Sequence, residues 1–183
     1  MPLTKIQSLG ITDGTIVNAD INASAAIAGT KLGAGTVLQV VQTFKNDVFS
    51  SSSTSYVDVT GLSASITPSS ASNKILILLR TSQGASGNDQ IKTTLLRGAT
   101  GIAVANGKDY FSFMYPTRTG TDTNEYVARG STHLDFLDTP NTTSSITYKV
   151  QMKVDANTGH INRGKDNDNY RGVSSITLME IAG

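Results

Sequence analysis

Isoleucine returns every fifth residue at the start of this chain, at Ile6, Ile11, Ile16 and Ile21. Ile27 and Leu32 continue the spacing after a one-residue slip. That interval matches neither the 3.6-residue repeat of a helix nor the two-residue repeat of a strand. Small and turn-forming residues fill the gaps, among them Asp13–Gly14 and Asn18–Ala19–Asp20. A single chain has no means of burying one isoleucine in five against itself. The pattern therefore predicts an extended arm, laid on another surface or wound with two copies about an axis. Ile6, Ile11, Ile16, Ile21, Ile27 and Leu32 are the expected docking or oligomer contacts. Ser24–Ala28 is compatible with one or two helical turns capped by Asn22 or Ser24. Gly33–Ala34–Gly35 reads as a hinge. It does not extend to a dinucleotide fingerprint, because Leu38 stands where the third glycine belongs.

Residues 1–36 thus separate as an arm from a domain at 37–183, where the pattern becomes one of strands. Ile146–Val154 alternates strictly, with Ile146, Tyr148, Val150, Met152 and Val154 on one face. Such a segment is a half-buried antiparallel strand. Lys74–Thr81 and Ser174–Ile181 are apolar on both faces. The first predicts a central strand covered on two sides. With Val37–Phe44, the last fits a subunit whose outer sheet packs on copies of itself. Further strands are expected at Tyr56–Thr60, Leu62–Thr67, Ile91–Arg97, Gly101–Ala105, Tyr110–Tyr115, Tyr126–Ala128 and Ser131–Asp138. Gly61 separates the first two, and Ser50–Ser53 reads as flexible linker. Turn signals stand at Thr67–Pro68, Gly84–Gly87, Thr139–Asn141 and Asp155–Gly159. Ser, Thr and Asn total 56 residues, while Glu occurs only twice. β-Branched residues suit a pleated surface, and the scarcity of Glu argues against exposed helices. The expected fold is all-β: an antiparallel β-sandwich, jelly-roll-like, trimeric, carrying an extended N-terminal arm.

Composition also excludes chemistry. A net charge of +1 builds no field for a polyanion, so no nucleic-acid partner is expected. Cysteine is absent, which removes thiolate catalysis, disulfides and zinc–sulfur sites. No apolar run reaches about 18 residues, so no membrane insertion is expected. No serine sits in a G-x-S-x-G elbow, and Asp135 and Asp138, three apart on a strand, point to opposite faces. Asp166–Gly172 begins like a calcium loop but has Tyr170 at the fifth position and no Glu at the twelfth. No catalytic residue, cofactor or metal site is assigned.

Gly14–Leu32, GTIVNADINASAAIAGTKL, resembles a stretch of bacteriophage tail-fibre and other virion-fibre proteins, GTI-x-x-x-DI-x-x-SAAI-x-x-x-KL, that precedes a β-rich head. Val37–Gln42, Lys74–Arg80, Leu137–Tyr148 and Ser174–Ile181 resemble pieces of the terminal domains of such proteins. The resemblance implies a non-enzymatic homotrimer on the surface of a phage particle, its arm towards other virion proteins of capsid or tail and its head outward. Without a long shaft, the chain fits a fibre tip, a short head fibre or a capsid-decorating subunit.

Two loops carry the mix of aromatic and polar side chains that recognises glycans on a host surface. One is Pro116–Glu125, with Arg118 and Asp122, flanked by Tyr115 and Tyr126. The other is Asp155–Gly172, with His160, Arg163, Tyr170 and Arg171. The alternative is a free trimeric carbohydrate-binding or tumour-necrosis-factor-like module that folds without its arm.

Overall fold

The computed structural model describes residues 21, 22, 25, 27, 32–85, 90–114, 117–118, 126–163 and 171–183, by backbone alone at 113–114, 117–118 and 126–130. The chain divides into two units, Met1–Gly33 and Ala34–Gly183. In the first, the amide of Ala25 donates to the carbonyl of Asn22 at 2.8 Å, closing a single turn. The amide of Ile27 donates to the carbonyl of Ala25 at 3.0 Å, a tighter turn than a helical step, while Ser24, Ala26, Ala28 and the calcium-like loop up to Tyr170 lie outside the described residues.

The second unit is built of strands, with no helix among the described residues. They are β1 (Val37–Lys45), β2 (Phe49–Ser51), β3 (Val57–Ile66), β4 (Lys74–Ala85), β5 (Ile91–Arg97) and β6 (Thr100–Ile102). There follow β7 (Ser112–Met114), β8 (Thr117–Arg118), β9 (Tyr126–Asp138), β10 (Ile146–Val154), β11 (Gly159–Ile161) and β12 (Ser174–Ile181). Every pairing between them is antiparallel. The larger sheet runs β1-β12-β4-β9, with β11 and β2 continuing it beside the second half of β4. The smaller runs β3-β10-β5, with β6 and β7 on the far edge of β5. The expected all-β sandwich of two antiparallel sheets is what the chain forms.

Alternation places the core. Ile75, Ile77 and Leu79 of β4, with Ile176 and Leu178 of β12, meet Leu62 and Ile66 of β3 and the inward residues of β10. Each of these is at most 2% exposed except Ile146 of β10, at 9%. The strict alternation of Ile146–Val154 holds through the whole of β10, every apolar position inward. Such burial is the main favourable term in folding.

Four expectations fail for local reasons. Gly61 does not split a strand: β3 runs through it, because glycine takes φ +80° there and the ladder with β10 shifts register nearby. A left-handed glycine at an irregularity in the ladder bends the strand without breaking it. Ser50–Ser53 is not linker from its start, since Ser50 and Ser51 belong to β2 and pair with β11. Asp155–Gly172 is not one outward loop either. Its Gly159–Ile161 threads between β2 and β4 as a fully buried strand. Tyr126–Ala128 and Ser131–Asp138 merge into one strand, β9, drawn out by pairing with β4 along almost its full length.

The strands give the unit two ends. The chain comes in at Gly35, whose amide donates to the carbonyl of Ala182 at 2.8 Å. Thr36 accepts from the amide of Ala182 at 2.9 Å. The connections β3–β4, β5–β6 and β9–β10 gather at that end. The last residues of β4, the first of β5 and β9, and the connection β10–β11 lie at the other.

Candidate assembly face

The two outer faces of the sandwich are chemically opposite. On the smaller sheet, outward residues are paired in charge. Lys149 Nζ lies 2.9 Å from Asp58, Lys153 Nζ 2.8 Å from Asp109 and Lys92 Nζ 2.6 Å from Asp155. The hydrogen bonds from Lys149 and Gln151 hold the Asp58 carboxyl below its ordinary range, and that from Lys153 does the same for Asp109. Lys153 also sits 4.4 Å above the ring of Tyr56. Burial, and then the Asp109 charge, push the Tyr56 phenol upward. This is a face made for water.

On the larger sheet, the outward face carries an apolar row. Registers set Val40 opposite Met179, Met179 opposite Leu76 and Leu76 opposite Leu137, one unbroken row across β1, β12, β4 and β9. The inward neighbours of these residues are in the core, so alternation turns the row outward. Val40 is 55% exposed and Leu137 48%. Val37 and Phe44 on β1 extend the exposed apolar surface along the edge strand. The next row is mixed: Gln42 donates to Thr177 Oγ1 at 2.7 Å, followed by Leu78 and Asp135. A third row ends in Arg80 and His133. β4 is therefore central, as expected, but its outer face is uncovered in a single chain.

The expected recognition residues are dispersed. His160 does not face outward: it is 3% exposed, its Nδ1 lies 2.7 Å from Ser50 Oγ, and β11 carries it into the interior. Arg163 and Arg171 meet in an isolated bridge at the base of the 164–170 segment, and Arg171 is exposed. Arg118 and Tyr126 are opposite each other across β8 and β9. Tyr115, Asp122 and Tyr170 lie outside the described residues, as do Ile6, Ile11 and Ile16. Ile21, Ile27 and Leu32 are 41%, 48% and 46% exposed in the single chain. Asp135 and Asp138 do point apart, the first exposed and the second 6% exposed.

Two buried polar hubs escaped the sequence reading. Asn162, at φ +65° and wholly buried, donates to the carbonyls of Lys45 and Asp47 and accepts from Ser174 Oγ. It pins the β1–β2 turn to β12. Glu180 is 1% exposed and forms no ion pair among the described residues. Its carboxylate accepts from Gln39, Asn73 and both the amide and hydroxyl of Ser69. Burial alone would raise its pKa, but those hydrogen bonds together hold it below the ordinary value. Nothing in either residue's local sequence marks it, because the partners are remote in the chain. Among the described residues no cluster of His, Asp and Glu could hold a metal ion.

No protein-family model matches the chain, and no curated protein matches it. Among solved structures it is similar to a chain of the infectious bursal disease virus Gt strain particle, with TM-score 0.40 and 12% identity over 79% of this chain. A second likeness is to the VP2 subviral particle of infectious bursal disease virus, with TM-score 0.36 and 13% identity over 79% of this chain. This chain covers only 39% and 37% of the length of those two. At such scores the ground for a functional reading is the chemistry of the chain's own faces.

Proposed function

We propose that this chain is a non-enzymatic structural subunit of a phage particle, of fibre-tip, head-fibre or capsid-decorating type. It assembles as a homotrimer through the outer face of its larger sheet, and residues 1–36 dock it to other virion proteins. The observation that carries the reading is the contrast between the two outer faces. One is laced with ion pairs, while the other carries Val40, Met179, Leu76 and Leu137 in one row. A contiguous apolar patch on a protein surface marks a contact with another protein. The order β1-β12-β4-β9 facing β3-β10-β5-β6 supports a jelly-roll reading. The resemblance of Gly14–Leu32 to virion-fibre arms supports the location. Arg118, Tyr126, Arg163 and Arg171 stand at the end away from Gly35, which fits presentation of that end to a host surface.

The test is mass in solution. Light scattering is expected to report three times the 19.2 kDa subunit for the natural chain. Val40→Asp with Leu137→Asp changes only outward residues and is expected to leave a folded monomer. Ile176 and Leu178 would not serve, since both face the core and are wholly buried. A monomeric natural chain, or a double variant that keeps the trimer mass, overturns the reading.

A further inference from the structure

At the end of β5 the smaller sheet opens a groove of about 430 Å³, bounded by the turn after Arg97 and the connection from β9 to β10. Arg97, Pro140, Thr142, Ser145, Ile146 and Thr147 line it. The volume falls in the range of small-molecule sites.

Arg97 is held in place. Its Nη1 donates to both carboxylate oxygens of Asp138, each at 2.9 Å. Asp138 also accepts from the Tyr148 hydroxyl at 2.6 Å. Tyr148 is wholly buried, so the carboxylate is fixed from the core side. One guanidinium nitrogen therefore makes all the contacts. The other edge, Nε with Nη2, donates to no group among the described residues, and the side chain keeps 31% exposure. Two parallel N–H donors on a planar edge match the two oxygens of a carboxylate. Because Asp138 already balances the charge, the site suits a monoanion better than a phosphate dianion.

Three hydroxyl side chains line the same groove. Ser145 Oγ bonds to nothing among the described residues. Thr142 Oγ1 accepts from the Ser144 amide at 3.0 Å, and Thr147 Oγ1 shares a proton with Ser65 Oγ at 2.7 Å. Each retains capacity for one more partner. Pro140 and Ile146 supply an apolar wall.

We propose that this groove binds a carboxylate-bearing saccharide. The free edge of Arg97 takes the carboxylate, Thr142, Ser145 and Thr147 take ring hydroxyls, and Pro140 with Ile146 meet the ring's C–H face. The inference does not rest on the assembly reading, which concerns the outer face of the larger sheet.

The test is isothermal titration calorimetry on the full chain with glucuronate, glucose, acetate and inorganic phosphate. Glucuronate is expected to saturate roughly tenfold tighter than glucose or acetate, the worth of a bidentate charged contact. Arg97→Lys keeps a charge for Asp138 but lacks the second edge, and is expected to weaken glucuronate about tenfold. Ser145→Ala removes an unbonded hydroxyl and is expected to weaken it about threefold with an unchanged Tm. Should Arg97→Lys fail to fold, Ser145→Ala decides. The proposal is overturned if glucuronate binds no tighter than glucose and acetate, if phosphate binds best, or if Ser145→Ala leaves the affinity unchanged.

Discussion

Glu180 is an acid buried with no counter-ion among the described residues. Four neutral donors offset its desolvation and hold its pKa below 4.5. The stability it contributes is therefore complete above the unfolded-state pKa and is lost as pH falls through the folded value. Thermal unfolding followed from pH 6 downward is expected to show a falling Tm below about pH 4.5. Glu180→Gln is expected to start less stable at pH 6, because its amide N–H meets donors, and to lose less on acidification. Equal acid limbs in the two proteins would show that Glu180 is not the group responsible. Asp47, Asp58 and Asp109 are also held low but sit at the surface, and they contribute equally to both curves. Local sequence could not mark this residue. An acid in SSITLMEI reads as a solvated position until Ser69 and Asn73, more than a hundred residues earlier, are folded over it.

Strands were legible wherever period and burial agree. Ile146–Val154 alternates and is covered on one side only, so sequence and structure coincide. β11 was hidden because three residues are too few to show a period, and its Gly-His-Ile has no β-branched run. Its place is set by space instead. A Cβ on Gly159 would come within 2.6 Å of Met152 Cε and 2.7 Å of Val154 Cγ1. Gly159→Ala is expected to lower stability by about 1–3 kcal/mol, the ordinary cost of overpacking a core. Chemical denaturation reads this directly, and an unchanged midpoint would mean that β11 does not lie against β10. The outer row of the larger sheet was half visible: two-sided apolarity at Lys74–Thr81 and Ser174–Ile181 gave its centre. Val40 and Leu137 were missed as its ends, because only the registers with β12 and β4 bring them into line.

At the scale of the molecule, the buried apolar core formed by the described residues lies within Ala34–Gly183. Removing residues 1–33 is expected to leave the thermal unfolding of the remainder unchanged, while the truncated chain no longer enters particles. Normal incorporation would refute the docking role of the isoleucines. The sequence could state that role only as a need, since an apolar residue every five positions says that cover is required without saying what supplies it.

The manner in which the chain comes in at Thr36 has a mechanical consequence. β1 starts there and stays paired with β12 from Val37 to Lys45. Its ladder bonds lie across the strand, so tension applied along the axis of β1 loads them together in shear rather than unzipping them one after another. A tether attached at this point resists pulling through many bonds acting in parallel, so force reaches the sheet as a whole before any single pair gives way.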